Sequence, residues 1–283
     1  MIEKSEILAI TKQSEFYPTK WLDIAGAPER IYAVGDISLL KTKKFAVVGA
    51  RRTPVQALKT GGEIVKTLAL SYTIVTGTAD GADSVAIESG LENGKVICVL
   101  AGGFGAIPQG NYALLERVAK QGLLIALHPY ETTVRAFMYE YRNKLLATLS
   151  ESVLVLGAGE KSGALITAKY VKQQGNKVFA LPYAPGVEAG VGCNALIKDG
   201  AYLTESADDI YLALGLEKPQ TRKIELTETE RKVVTALQVL GVAHVAQIAE
   251  ETGIPTYKLQ GVLSALEVKG VAVNVGGNRY APV

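Results

Sequence analysis

FAVVGARRTP, from Phe45 to Pro54, is the stretch of this 283-residue chain that decides the fold. The apolar run FAVV predicts a buried strand, and Gly49 lets the backbone turn tightly after it. The amides that open the next helix point outward with the positive end of its dipole, and Arg51 and Arg52 add forked donors that match phosphate oxygens. The stretch therefore predicts a strand, an anion-binding turn and a helix. The alternative is that one arginine pairs with a carboxylate and the other is solvated.

Strand-like and helix-like segments alternate onward from this stretch. The apolar runs that predict strands are KFAVVG, YTIVTG, KVICVLAGG, LLIALHP, ESVLVLG and NKVFALP. The segments that predict helices include PVQALKTGGEIVKTLAL, GADSVAIESGLENG, YALLERVAKQG, AFMYEYRNKLLATLS, SGALITAKYVKQQG and VGCNALIKDGA. Apolar strands of this kind are covered by helices on both faces. The pattern therefore predicts an α/β fold with a doubly wound, mostly parallel, Rossmann-like sheet.

The chain divides into four segments by periodicity and polarity. The pattern of residues 1–44 predicts a short helical lead-in, and the pattern of residues 45–214 predicts the Rossmann-like domain. Polar residues dominate residues 215–225, which predicts a linker. Residues 226–283 predict three helices and a hairpin around a Gly-Gly-Asn turn, which together form a small winged-helix domain.

The function of the predicted winged helix stays open. Its third helix, IPTYKLQGVLSALEVKG, is the usual recognition element of such domains. Residues 221–283 carry seven Lys or Arg against six acids, and this net positive charge is small for a DNA-binding domain. The sequence is compatible with two roles for this helix. It could contact a DNA groove through Tyr257, Lys258 and Gln260, or it could contact another protein.

Composition excludes several classes of protein. Hydrophobic residues make up 48% and charged residues 20%, which is typical of a folded α/β protein. No bilayer-length apolar run and no signal peptide is visible, so we expect a cytoplasmic protein without membrane association. Cys98, Cys193, His128 and His244 form no metal-ligand spacing, so we expect no metal and no cofactor. The net charge of +2 requires that any polyanion be held by a local patch.

Three further turns follow predicted strands, and their sequences are TGTADGADS, LAGGFGAIPQGN and GAGEKSGALITA. For the first two turns, the alternative to ligand binding is that the glycines serve only the geometry of the turn. The third turn matches neither of two known phosphate-binding motifs. It lacks the acidic residue that a dinucleotide site carries about 20 positions later, and the glycine that directly precedes the lysine of a Walker loop. What remains there is a helix start with Lys161, Ser162 and Gly163, which suits one phosphate.

The segment YEYRNKLLATLS places Arg142, Asn143 and Lys144 directly after Tyr139 and Tyr141. Basic residues interleaved with aromatic residues suit a single nucleic-acid strand, whose bases stack while its phosphates pair. The alternative is that the segment is an amphipathic helix that buries its leucines. A helix of this kind is compatible with nucleic-acid binding by its other face. Four acids near the strand ends more often cap helices than act as acid and base: Asp80, Asp83, Glu140 and Glu160.

Six motifs, in order along the chain, resemble those of the DprA/Smf family of DNA-processing proteins. They are Gly49-Ala50-Arg51-Arg52, TGTADGAD, AGGFGAIPQGN, Arg142-Asn143-Lys144, SGALITA and GCNALI. The resemblance covers roughly residues 16–215. A C-terminal winged helix is common in the family.

The resemblance implies sequence-independent binding of single-stranded DNA, protection of that strand and loading of the recombinase RecA during natural transformation. It implies a homodimer that catalyses no reaction. Asp80 stands at a position that is often basic in the family, which implies weaker strand binding. The residues expected to contact nucleic acid are Gly49, Ala50, Arg51, Arg52, Thr76, Gly77, Gly81, Asn111, Arg142, Asn143, Lys144, Lys161, Ser162 and Gly163.

Two other functions stay open on the same fold. The architecture is similar to that of the LOG phosphoribohydrolases, but their PGGxGTxxE motif does not occur in this sequence. A small-nucleotide sensor coupled to a winged helix would use the same phosphate turns without hydrolysis.

Overall fold

The computed structural model of the protein describes residues 2–92, 94–219 and 226–282. The chain folds as two compact units, Met1–Pro219 and Gln220–Val283. The expected linker begins within the first unit, and its remaining part, residues 220–225, lies outside the described residues. Across the described ranges, no helix is both long and apolar enough to cross a membrane.

A nine-stranded sheet, counted over the described residues, forms the centre of the first unit, with the order β1-β2-β6-β5-β4-β3-β7-β8-β9. Strands β3 to β9 are mutually parallel, whereas β2 pairs antiparallel with both β1 and β6. The strands are β1 (Leu8–Thr11), β2 (Arg30–Gly35), β3 (Lys44–Val48), β4 (Thr73–Thr76), β5 (Val96–Leu100), β6 (Leu123–Ala126), β7 (Ser152–Val155), β8 (Lys177–Ala180) and β9 (Tyr202–Leu203).

Helices cover both faces of this sheet, as predicted for a doubly wound fold. Because side chains alternate along a strand, Phe45 and Val47 of β3 pack into one apolar layer, and Ala46 and Val48 into the other. The first layer contains residues of α2 (Val55–Leu68), α3 (Ala82–Leu91), α4 (Tyr112–Gln121) and α8 (Ala207–Leu214). The second contains residues of α1 (Thr19–Leu22), α5 (Ala136–Leu149), α6 (Gly163–Gln173) and α7 (Val191–Lys198).

The first 44 residues differ from the expected helical lead-in. They supply β1 and β2 to the sheet edge, and α1 is a single helical turn. Ile31 and Ala33 of β2 are fully buried, and so is Trp21 of α1, whose indole Nε1 donates to Leu145 O of α5 at 2.9 Å. The segment therefore belongs to the sheet, because burying these side chains requires the strand partner β6 and the helix α5.

The order of the strands places a crevice at the carboxyl end of β3. Strands β4 to β6 lie on one side of β3 and strands β7 to β9 on the other. The connections therefore leave β3 and β7 in opposite directions, which opens a crevice between the turns that follow them. Ligands bind at this point in open α/β sheets.

The second unit is a winged helix, as predicted. Its three helices surround a core that includes Val233, Leu237, Leu259 and Leu263. The predicted hairpin pairs antiparallel, and a two-residue strand extends its sheet in the order β10-β12-β11. The elements are α9 (Glu228–Leu240), β10 (Ala243–His244), α10 (Val245–Thr252), α11 (Thr256–Val268), β11 (Ala272–Gly276) and β12 (Arg279–Pro282).

Candidate nucleic-acid interface

The turns after β3 and β4 pack closely because two glycines lack side chains. A Cβ on Gly49 would lie 2.5 Å from Cβ of Ala82, at the start of α3. Gly81 has φ of +78°, and a Cβ there would lie 2.4 Å from Arg51 O. Ala50 N donates to Gly157 O at 2.8 Å, which joins the first turn to the one after β7. The backbone that carries Arg51 is therefore fixed on both sides.

Arg142 is buried, in contrast to a surface arginine that clamps phosphate. It is 7% exposed, and its Nη1 donates to Val99 O at 2.9 Å. Asp83, also buried, accepts from Ala79 N at 3.1 Å and faces Arg142 across Gly77. Burial raises the pKa of the Asp83 carboxyl, and the Arg142 guanidinium opposes that rise. The pair thus fixes the turn after β4 from within.

The start of α6 forms the facing wall. Ser162 is the N-cap, and its hydroxyl accepts from Ala164 N at 3.3 Å. Asn143 Nδ2 of α5 donates to Gly163 O at 3.2 Å, so the two helices meet beside this turn. Lys161 is exposed immediately before the cap. The opening turn of α6 therefore presents the positive end of its dipole to the crevice, and an exposed lysine precedes it.

A cavity of about 230 Å³ lies between these walls. Seven of the predicted residues line it: Gly49, Arg51, Gly77, Arg142, Asn143, Ser162 and Gly163. Sequence reasoning missed Thr167 as part of its lining, and it favoured a helix-capping role for Asp83, which also lines the cavity. The spacing of Gly163 and Thr167, one helical turn apart, is a signal that places both on one face of α6.

Two residues that line this cavity each carry a buried polar atom without a partner. Thr167 is 1% exposed, and its Oγ1 makes no hydrogen bond with any described residue. The same holds for Nε of Arg142 within the described ranges. Buried polar groups are normally paired, so two unused donors in the wall of one cavity are an unusual feature.

An adjoining cavity of about 560 Å³ extends the crevice toward β5. It shares Arg51, Tyr139 and Arg142 with the first cavity and adds Asp80 and Asn111. Asn111 Nδ2 donates to Thr78 O at 2.7 Å, which ties the third glycine-rich turn to the second. We call the two adjoining cavities the carboxyl-edge groove.

The other predicted residues lie around the groove and do not line it. Arg52 and Lys161 are exposed, and Lys144 is half-buried with its Nζ 5.9 Å from the ring of Tyr170. Thr76 is fully buried at the end of β4. Ala50 and Gly81 supply backbone to the packed turns described above.

Two family models match consecutive parts of the chain. The model described as DNA recombination-mediator protein A matches residues 8–215, and the DprA winged helix domain matches residues 217–278. Together they cover most of both compact units.

Individual relatives agree with these models. DNA processing protein DprA of Bacillus subtilis is 34% identical over 226 residues, which is 78% of this chain and 74% of the relative. Protein Smf of Escherichia coli is 35% identical over 205 residues, or 71% of this chain and 55% of the relative.

Solved structures share the fold. DNA processing protein A of Streptococcus pneumoniae matches with a TM-score of 0.69 and 30% identity, over 76% of each chain. DNA processing protein A of Helicobacter pylori, which was solved for its single-stranded DNA binding mode, matches with a TM-score of 0.67 and 24% identity, over 75% of this chain and 98% of that one. With its motifs, its two units and these matches, the chain belongs to the DprA/Smf family of DNA processing proteins.

Proposed function

We propose that this protein binds single-stranded DNA in the carboxyl-edge groove, through contacts to phosphates and base faces that carry no sequence preference. Arg51 and Arg52 neutralise phosphates at the first turn, and Lys144 and Lys161 do so along the opposite rim. Tyr139, which is 41% exposed and lines both cavities, offers its ring for stacking of a base.

An exposed arginine and two unused donors on residues that line one cavity carry this proposal. Thr167 Oγ1 and Arg142 Nε are buried without partners in the described parts of the chain, and exposed Arg51 lines the same cavity. An unsatisfied buried polar group costs about 1–3 kcal/mol. A ligand with several acceptor oxygens, such as a phosphodiester, would recover part of that free energy. Single-stranded DNA is the ligand of the Helicobacter pylori relative, which supports the same ligand here.

We further propose that the bound strand is protected and passed to RecA in the cytoplasm by a homodimer, without a catalysed reaction. The groove supplies N–H and guanidinium donors, which bind phosphates, and cleavage would require an activated nucleophile as well. Burial raises the pKa of the Cys98 thiol, and the Asp83 carboxyl is already held by Ala79 N and the charge of Arg142. Neither group is therefore available as an activated nucleophile.

Binding of a labelled oligo-dT across a salt series tests the proposal. The Arg51→Ala/Arg52→Ala variant should bind more weakly, and its slope of log affinity against log salt should be smaller by about 1.4, because each phosphate contact on a single strand contributes about 0.7. The variant should also fail to accelerate assembly of RecA filaments on the strand, which the unmodified protein should accelerate.

A matched control removes two basic residues elsewhere. Arg117 and Lys120 are exposed on α4, away from the groove lining, so Arg117→Ala/Lys120→Ala should keep the salt slope. Equal losses in both double variants would contradict a phosphate site at the first turn. A melting temperature raised by a mononucleotide but not by oligo-dT would instead support the nucleotide-sensor function.

A further inference from the structure

A third cavity, of about 560 Å³, lies at the same edge of the sheet, and none of the predicted site residues lines it. Its walls come from the start of α2, the segment after β8 and the segment after β9. Pro54, Ala57 and Tyr183 contribute apolar surface, and Thr204 and Glu205 contribute polar atoms. A cavity of this size with apolar walls and a few polar groups is typical of a small-ligand site.

The wall formed by Tyr183 is held rigidly. Its backbone N donates to Asn194 Oδ1 at 3.0 Å, and its backbone O accepts from Asn194 Nδ2 at 2.9 Å. Its hydroxyl donates to Leu156 O. A Cβ on Gly190 would lie 2.2 Å from Cβ of Tyr183, so glycine is required beside the ring. The GCNALI motif therefore supports this cavity through Asn194.

Glu205 is the single charged residue among the described residues that line the cavity. Asp209 Oδ2 accepts from the backbone N of Glu205 at 2.8 Å, which fixes the main chain at this point. Glu205 is exposed, and its carboxylate accepts no hydrogen bond and forms no ion pair with the described residues. The cavity thus offers apolar walls and an unused anionic acceptor, a combination that repels phosphate and accepts N–H groups.

The cavity adjoins the arginine turn. Pro54 lines it and stands two residues after Arg52, which is exposed. A phosphate held by Arg52 would therefore place an adjacent base within reach of the cavity. A nucleobase has flat apolar faces and polar edges, which match these walls and the Glu205 carboxylate.

We propose that this cavity receives one base of the bound strand, and that Glu205 selects a base with an exocyclic amine. Cytosine and adenine present an N–H₂ donor where thymine presents an acceptor oxygen, and guanine carries an N–H₂ donor at N2. The carboxylate accepts from the amine, whereas the one ring N–H of thymine lies between two oxygens that the carboxylate repels. The inference rests on the proposed function, because the strand is brought to the cavity by Arg51 and Arg52.

Affinities for oligo-dC and oligo-dT of equal length test this inference. The two strands carry the same phosphates and pyrimidine rings, so the ratio of their affinities reports the ring substituents, which are the amine or oxygen at position 4 and the methyl group of thymine. The unmodified protein should prefer oligo-dC by about fivefold or more, which corresponds to at least about 1 kcal/mol for a matched base contact. Glu205→Ala should bind both strands equally. Val187→Trp, which fills the cavity from its lining without changing the charge, should lose the preference as well.

Glu188→Ala is the matched control, because Glu188 is exposed near this edge and does not line the cavity. It removes the same charge and should keep the preference for oligo-dC. Equal binding of both strands by the unmodified protein, or a preference that persists in Glu205→Ala, overturns the inference while leaving strand binding intact. Failure to bind either strand overturns the proposed function and this inference together.

Discussion

Gly77 is the residue on which the floor of the groove depends. A Cβ at this position would lie 2.2 Å from Nη1 of Arg142 and 2.4 Å from Oδ2 of Asp83. Neither side chain moves away without breaking its hydrogen bond, to Val99 O or from Ala79 N. Gly77→Ala should therefore lower the free energy of unfolding by about 1–3 kcal/mol, as overpacking does. Urea unfolding measures this change.

Gly159 supplies the control for that substitution. It lies in the turn after β7, and the nearest atom to a Cβ there is Glu188 O at 3.7 Å, an ordinary contact. Gly159→Ala should leave the free energy of unfolding unchanged or raise it slightly, since alanine restricts the unfolded chain. Equal losses of unfolding free energy in the two variants would show that Arg142 and Asp83 are not what excludes a side chain at Gly77.

Asp80 opposes the proposed ligand. Its side chain is exposed, and it lines the cavity that Arg51 also lines. Asp80→Asn should raise the affinity for oligo-dT by about two- to fivefold at low salt, because one repulsive charge near the surface contributes up to about 1 kcal/mol. The gain should shrink as salt rises. Glu88→Gln, an exposed acid of α3 outside the groove lining, should give no gain; a gain there of similar size would point to net charge alone.

At the scale of elements, the buried parallel strands and the long helices were predictable, and the edges of the sheet were not. Strand β3 is buried at every position, so its sequence is a continuous apolar run. Strand β1 is exposed at Leu8 and Ala9, and β9 is two exposed residues, so neither carries such a run. Their pairing depends on neighbours distant in sequence, which a local pattern does not record.

The first helix of the winged helix carries a buried acid that makes this element sensitive to acid. Lys269 Nζ donates to Glu230 Oε1 and Oε2 at 2.7 and 2.8 Å, and Thr227 N donates to the same carboxylate. These bonds lower the pKa of Glu230 below its ordinary 4.5. Because the folded pKa is the lower one, the stabilisation is present above about pH 5 and is lost as the pH falls through the folded pKa.

Glu230→Gln tests this linkage. The free energy of unfolding of the winged helix should fall at neutral pH, and the difference from the unmodified protein should shrink below about pH 4. Urea unfolding followed by the NMR methyl signals of Val233 and Leu237 reports this unit. Glu228→Gln is the control, since Glu228 lies on the same turn and is 88% exposed beside Lys232. A difference for Glu230→Gln that is constant with pH would contradict the linkage.

For the whole molecule, a groove at the strand ends was predictable from the sequence, but the burial of Arg142 was not. The turns were predictable because parallel strands bring their carboxyl ends to one edge. The burial of Arg142 depends on Val99 and Asp83, which are distant from it in sequence. The lining role of Thr167 was visible only as a helical spacing from Gly163.

The division into two units predicts where strand affinity resides. Every described residue that lines the groove belongs to the first unit, which has its own apolar layers. Residues 226–282 carry five Lys or Arg and five acids, so the winged helix adds little electrostatic attraction for DNA. A chain of residues 1–219 should therefore unfold cooperatively and bind oligo-dT within about threefold of the full chain, in the same salt series. A loss of about tenfold or more, with folding intact by circular dichroism, would assign the winged helix a direct share in DNA binding and leave protein contact as its less favoured role.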